Sequence, residues 1–153
     1  MKKSIKNLIA AVALFLVFTA YSQDDQMAIK AVIEKETTAF FGVDSTIWKS
    51  CWLNAPYAYW AYSDSTGGNY VEGTKNIQKN FSEYFRTAKP SKSKIERTWL
   101  EIRIYGKGAY VRFTQKITDN IDHDETSEAR VLEKDNGKWK VVLMNAMAKY
   151  PVK

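Results

Sequence analysis

The feature that most constrains the fold of this chain is the order of its apolar patterns. Apolar residues recur at helical spacing in the first part of the sequence, and they alternate with polar residues, as in strands, in the rest. Leu100, Ile102 and Ile104 alternate with charged neighbours, which is typical of a strand with one buried face. Gly106-Lys107-Gly108 and Asp135-Asn136-Gly137 are hairpin-turn signatures in the same region. Helices followed by an antiparallel meander indicate the α+β class. The predicted strands are residues 57–62, 95–105, 109–118, 127–134 and 138–149.

Helices are predicted before this meander. Residues 24–41 carry a broad apolar face and should form the first helix. Asp44 is predicted to cap a short second helix, and because capping explains this aspartate, a catalytic role is the weaker interpretation. Thr74 is predicted to cap a third helix, after a turn over residues 63–69. Cys51, the only cysteine, lies at a core position of the second helix, so no internal disulfide can form.

The start of the chain has the features of an export signal. Three lysines precede an apolar run, Leu8–Ala20, that is too short for a comfortable membrane span. Small residues favour cleavage after Ser22. We therefore expect a signal peptide over residues 1–22 and a single domain over residues 23–153, periplasmic or secreted and free of the membrane after cleavage. An uncleaved anchor helix is the alternative.

Composition narrows the function classes. A length of 153 residues allows one domain with a substantial core. Three of the 23 Lys and Arg residues lie in the predicted signal, which leaves 20 against 17 acidic residues and a charge of about +3; so mild an excess does not favour nucleic acid as a partner. The aromatic share is 14%, with five Trp and nine Tyr. Because Tyr and Trp carry a polar tip, this composition suits a core that encloses a half-polar cavity.

Three stretches of the sequence resemble one known family. They are Gly68-Asn69-Tyr70-Val71-Glu72-Gly73, Ala109-Tyr110-Val111-Arg112-Phe113-Thr114-Gln115, and Ser127-Glu128-Ala129-Arg130-Val131 followed by Gly137-Lys138-Trp139. In order and approximate spacing they are similar to the association domain of calcium/calmodulin-dependent protein kinase II, in the nuclear transport factor 2-like superfamily, and to its stand-alone bacterial polyketide-cyclase-like relatives. The resemblance implies a cone, in which N-terminal helices pack in a strongly curved antiparallel sheet, and a homodimer or higher homo-oligomer.

The resemblance also implies a binding pocket at the open end of the cone. Two arginines line that pocket in the kinase domain, and the residues that match them are Arg112 and Arg130, whose guanidinium groups suit carboxylates. The family's third pocket arginine is replaced by Ala146, and Asn145 stands where a histidine precedes it, so the arginine cluster is incomplete. Alternatively, Arg130 pairs internally with an acidic residue, either Glu128 or Glu72. The predicted ligand-binding residues are Arg112, Arg130, Gln115, Tyr59, Trp60, Glu72 and Asn145.

Aromatic residues on the first predicted strand are candidates for a pocket wall. Period-two alternation puts Tyr57 and Tyr59 on one face of the strand and Trp60 and Tyr62 on the other. The alternative is that these four residues are ordinary core and sheet-surface residues. Gln115 has two interpretations as well, since it could orient a ligand or tie down a neighbouring strand.

Two classes of function fit these features. The first hypothesis is a non-catalytic domain that binds an unknown small molecule, anionic or aromatic, and self-associates, with no metal, cofactor or nucleic acid. The alternative is a small acid–base enzyme of the isomerase, dehydratase or cyclase type, which needs a buried carboxylate with a raised pKa in the pocket; Glu72 and Glu128 are the candidates. A protein-partner binding module is a further alternative. His123, the only histidine, lies in a predicted polar loop over residues 119–125, where a solvated loop is favoured over a metal site.

Overall fold

Four helices and six strands make up the part of the chain that this computed structural model describes, residues 23–91, 93–118 and 123–149. The α+β class is therefore confirmed. The predicted export signal, residues 1–22, lies outside the described residues. Within those ranges, no helix has the length and apolar character needed to cross a membrane. The elements are α1 (residues 23–41), α2 (Ser45–Cys51), β1 (Tyr59–Asp64), β2 (Gly67–Glu72), α3 (Thr74–Asn80), α4 (Ser82–Thr87), β3 (Lys94–Tyr105), β4 (Gly108–Thr118), β5 (His123–Asp135) and β6 (Lys138–Ala148).

The strands form one sheet in the order β2-β1-β6-β5-β4-β3. All neighbours are antiparallel except β1 and β6, which run parallel. The β5–β6 hairpin turns at Asn136 and Gly137, whose φ angles of 48° and 77° give the left-handed turn that the Asp-Asn-Gly signature predicts. Register shifts in β3 and β5 add local bend and twist, so the sheet curves around α1.

The shift in β3 changes which side chains face inward. Trp99 pairs with Phe113 but Glu101 pairs with Arg112, so Leu100 is the extra residue of a bulge. Before the bulge the inward positions are odd-numbered, and after it they are even-numbered. Leu100 is consequently 50% exposed, although simple alternation placed it on the same face as Ile102.

The core lies between α1 and the concave face of the sheet. Ile29 and Ile33 are four residues apart, which puts both side chains on one face of the helix. They are fully buried in one cluster with Val111, Phe113 and Leu132 from the sheet. Burying each such side chain contributes roughly 1.5–3 kcal/mol, so this layer fixes the position of α1 in the cone.

A polar contact fixes the first turns of α1 to the β5–β6 hairpin. The Lys134 Nζ lies 2.7 Å from the Asp25 Oδ1, and the Trp139 indole N–H donates to the same oxygen at 3.0 Å. The Lys134 ammonium also lies 5.0 Å from the centre of the Trp139 ring. These contacts set the direction in which α1 enters the sheet.

The connection from α2 to β1 follows the predicted capping only in part. Asp44 caps α2 as predicted, since its Oδ1 accepts the Ile47 N–H at 2.8 Å. Thr74 is not a cap, because Gly73 occupies that position. The Thr74 hydroxyl instead donates to the Leu53 carbonyl at 2.5 Å, which ties α3 to the segment before β1. The predicted third helix is divided at Phe81, whose ψ of 3° separates α3 from α4.

Two predicted loops are partly strand. The turn predicted over residues 63–69 occupies only positions 65 and 66, and Gly67 begins β2, an edge strand that pairs with β1. Glycine is disfavoured in strands, so Gly67 and Gly68 indicate a turn in the sequence. In the structure these residues are in a strand because they pair with β1. The loop predicted over residues 119–125 is also shorter, because β5 begins at His123; residues 119–122 lie outside the described residues.

Candidate functional site

A cavity of about 170 Å³ lies between the second half of α1 and the concave face of the sheet. Strand alternation supplies one wall, because Trp60 pairs with Met144 and Tyr62 pairs with Ala146 across β1 and β6, which puts all four side chains on the inner face. The apolar and aromatic lining is Phe40, Phe41, Trp60, Tyr62, Ile117, Met144 and Ala146. The polar lining is Glu36, Thr37, Gln115, Thr126, Glu128 and Arg130.

A buried ion pair forms part of the polar lining. The Arg130 Nη2 lies 2.7 Å from the Glu128 Oε2, and both side chains are only 2% exposed. The Thr126 hydroxyl donates to the other carboxylate oxygen of Glu128 at 2.8 Å. The Arg130 guanidinium also lies 5.4 Å from the centre of the Phe113 ring. The structure thus shows the internal pairing of Arg130 with Glu128 that the sequence left as an alternative to ligand binding.

A second arginine next to this pair was missed by the sequence analysis. The Arg97 guanidinium lies 5.6 Å from the centre of the Phe113 ring, and Arg97 pairs with Gln115 across β3 and β4. Its Nε and Nη2 are buried without a hydrogen-bond partner in the described part of the chain. Burial lowers the pKa of Arg97, against the attraction of Glu128. Its sequence signal is alternation with Ile95 and Trp99, which puts all three residues on one face.

Glu36 is the buried carboxylate that the enzyme hypothesis requires, and it too was missed. The Trp48 indole N–H donates to its Oε1 at 2.8 Å, and the Thr37 hydroxyl lies 3.4 Å from its Oε2. Burial raises the pKa of Glu36, although the charge of Arg130 and the Trp48 hydrogen bond oppose the shift. The signal in the sequence is that Glu36 follows Ile33 at helical spacing, so a polar residue interrupts the apolar face of α1.

Of the seven predicted ligand-binding residues, Trp60, Gln115 and Arg130 line the cavity. Arg112 does not, and the expectation that it shares one cavity with Arg130 is wrong. Arg112 is exposed and pairs in register with Ala129, the neighbour of Arg130, and adjacent residues of a strand point to opposite faces.

The other three predicted residues also lie away from the cavity. Tyr59 is on the outer face, where its ring stacks on Tyr70 with centroids 5.7 Å apart. The prediction that Tyr59 and Trp60 lie on opposite faces of the strand is therefore correct. Glu72 is exposed at the end of β2 and is therefore not a buried acid. Asn145 lies between two residues that face inward and points to the outer face.

The described side chains include no group of three or more His, Cys, Asp or Glu residues that could hold a metal ion. His123 begins β5 in the structure, and its neighbour Asp122 lies outside the described residues. Cys51 is a buried free thiol, and burial raises its pKa, which makes it a poor nucleophile at neutral pH.

Solved structures share this architecture. A nuclear transport factor 2-like protein of unknown function from Shewanella oneidensis is 12% identical with a TM-score of 0.65, over 80% of this chain and 98% of that one. A protein described as a calcium/calmodulin-dependent protein kinase type II association domain from Thiobacillus denitrificans is 10% identical with a TM-score of 0.65, over 79% and 94%. A nuclear transport factor 2-like protein of unknown function from Shewanella baltica is 24% identical with a TM-score of 0.60, over 83% and 95%.

These likenesses define the fold class. The chain has the nuclear transport factor 2-like cone fold, which confirms the fold implied by its sequence resemblance. No protein-family model matches the sequence, and no curated protein sequence matches it either. The case for a function therefore depends on the cavity itself.

Proposed function

We propose that this protein binds a small, mainly apolar ligand in the cavity of the cone. The observation that carries the proposal is the cavity of about 170 Å³, lined by aromatic and aliphatic side chains, with a few polar groups converging on it. Sites for small molecules have this composition. An apolar cavity of roughly 150 Å³ can hold a molecule the size of benzene, so the expected ligand has about one ring.

The charges favour an uncharged ligand over an anionic one. Arg130 is already neutralised by Glu128 at 2.7 Å, and Glu36 adds a second carboxyl to the same lining. A buried ligand carboxylate would lose its hydration and meet no unpaired cation among the described lining residues, which is an unfavourable exchange. Of the two ligand types expected from the sequence, the aromatic type is thus better supported.

Thermal unfolding of the full chain with toluene, phenol and benzoate tests this function. A ligand present at a hundred times its dissociation constant should add about 2.7 kcal/mol to the free energy of unfolding. Phenol and toluene should raise the melting temperature more than benzoate does. No shift with any of the three compounds would contradict the proposal.

Filling the cavity provides the matched control. Ala146 lines the cavity, so Ala146→Leu should occupy the ligand's space and abolish the shift. Ala129 lies on the adjacent strand and faces outward, so Ala129→Leu should leave ligand binding intact. Equal binding by the two variants would show that the compounds bind elsewhere.

Glu36 supports a second candidate, an enzyme that moves a proton on the bound ligand. A buried carboxyl with a raised pKa is a suitable group for general acid–base catalysis. The assay is uptake of deuterium from D₂O into the acidic C–H position of a bound ketone such as cyclohexanone, followed by mass spectrometry. Exchange that is lost in Glu36→Gln would favour the enzyme, and exchange at the uncatalysed rate in both proteins would count against it.

We also propose that the protein is exported and self-associates. The export signal in the sequence supports the first proposal. The exposed side chains of Tyr70 and Met147, on strands β2 and β6 that flank β1, support a partner on the outer face of the sheet. A second copy and a different protein are alternative partners for that face. Cell fractionation tests export, and light scattering of the purified protein tests self-association; a cytoplasmic protein or a monomer would contradict the respective proposal.

A further inference from the structure

Gln115 lines the cavity and carries a buried side-chain oxygen that has no partner among the described residues. Its side chain lines the cavity, and the residue is only 4% exposed. Its Oε1 accepts no hydrogen bond from any residue in the described part of the chain. Such an acceptor is unfavourable when left unpaired, and buried polar groups in folded proteins nearly always have partners.

The neighbours of Gln115 across the sheet do not supply the missing donor. Thr126, its partner on β5, donates its hydroxyl proton to Glu128 at 2.8 Å. Arg97, its partner on β3, holds its guanidinium over the Phe113 ring. Neither neighbour donates to the Gln115 Oε1 in the described part of the chain, although Arg97 has unpaired donors of its own, so a molecule in the cavity can supply this donor.

We propose that the ligand is an uncharged ring compound whose head group donates a hydrogen bond to Gln115. A hydroxyl group or a primary amide has this chemistry, whereas an ionised carboxylate has no proton to donate. This inference rests on the proposed binding function and specifies the chemical class of the ligand.

A second unpaired polar atom belongs to a residue that lines the cavity, and a hydroxyl or amide head group would suit it as well. The Nε of Arg130 is buried without a hydrogen-bond partner among the described residues, and it is a donor. Hydroxyl and amide groups carry an acceptor oxygen as well as a donor, so they match both kinds of unpaired atom. A purely apolar ring matches neither of them.

Benzyl alcohol and benzyl fluoride form the test pair, because they are similar in size and only the alcohol has a donor. Their dissociation constants are measured by calorimetry for the full chain and for Gln115→Met, which keeps the side-chain length and removes the acceptor. The alcohol should bind the native protein about tenfold more tightly than the fluoride, the ratio expected for one hydrogen bond. In Gln115→Met this preference should disappear.

The outcomes separate this inference from the proposed function. Equal affinity for the two compounds in the native protein, or a preference that persists in Gln115→Met, would overturn the donor assignment while cavity binding stands. Failure of alcohol, fluoride and toluene to bind would overturn both. Thr114→Val, on the same strand but facing outward, is the control for nonspecific effects, and if Gln115→Met does not fold, the comparison within the native protein decides.

Discussion

Asp25 and Glu36 lie on the same side of α1 and meet opposite surroundings. They are eleven residues apart, about three helical turns. Asp25 contacts Lys134 and Trp139 near the β5–β6 hairpin, and the Lys134 hydrogen bond lowers its pKa against a smaller opposing effect of burial. Burial raises the pKa of Glu36, which has no ion pair within the described residues.

The contrast shows what each end of the helix does. A carboxylate with a lysine partner and partial exposure anchors the helix at little cost, because its charge stays solvated and paired. A buried carboxylate whose hydrogen bonds come from neutral donors is unfavourable for folding. Ionisable groups with perturbed pKa values cluster at functional sites, so the hairpin end of α1 secures the fold and the cavity end holds the candidate site.

Removing the cation of the cavity should have the largest effect. Arg130→Met would leave the Glu128 carboxylate buried without its partner and would remove the charge that moderates the pKa of Glu36. We expect a loss of about 3–5 kcal/mol in the free energy of unfolding, measured by urea denaturation. Arg112→Met, on the adjacent strand but exposed, should change it by less than about 0.5 kcal/mol. Similar losses for both variants would contradict the buried pair.

Neutralising Glu36 should have the next largest effect, and its sign depends on pH. A raised pKa means that the folded state favours the protonated acid, so stability should fall as pH rises from the ordinary carboxyl pKa of 4.5 through the pKa of the folded state. Glu36→Gln keeps an acceptor for Trp48 and should be more stable than the native protein at pH 8 by more than about 0.5 kcal/mol.

Urea denaturation at pH 5 and pH 8 measures this difference. The advantage of Glu36→Gln should be larger at pH 8, where ionisation of Glu36 is most costly. Glu34→Gln, an exposed position on the same helix, is the control. An advantage that is equal at the two pH values would show that Glu36 does not titrate in this range.

The features that were predicted correctly from the sequence are those that depend on residues close together in the chain. The Asp44 cap, the turn at Asn136 and Gly137 and the meander of long strands follow from neighbouring residues. The family resemblance then supplied the cone. Leu100 was misplaced because a bulge shifts alternation by one residue, and single-sequence patterns do not show where a bulge falls.

The candidate site was harder to predict, because it depends on contacts between distant segments. Arg112 and Arg130 match the same family pocket, yet strand register puts only Arg130 inside. Glutamate is usually a surface residue, and Glu36 is buried only because Trp48 and the sheet cover it in the folded chain. Arg97 lies beside Gln115 only because β3 pairs with β4 in this register, which a single sequence does not show.

The smallest predicted effect is at the anchor of Asp25. Lys134→Met keeps a long stem against Trp139 and removes the charge. Because the Lys134 and Asp25 side chains are 27% and 25% exposed, the loss should be about 0.5–1 kcal/mol at neutral pH, and 1 M salt should reduce it. A lowered pKa contributes stability above the ordinary aspartate value of 3.8 that is lost as pH falls through the folded pKa.

The free energies of unfolding of the native protein and of Lys134→Met should therefore become equal in strong acid. Lys107→Met, in the exposed β3–β4 turn, is the control and should be as stable as the native protein at every pH and salt concentration. A loss that is insensitive to both salt and acid would mean that Lys134 acts through the packing of its stem on Trp139. In that case the low pKa of Asp25 would contribute nothing to anchoring, and the contrast between the two ends of α1 would be one of packing rather than charge.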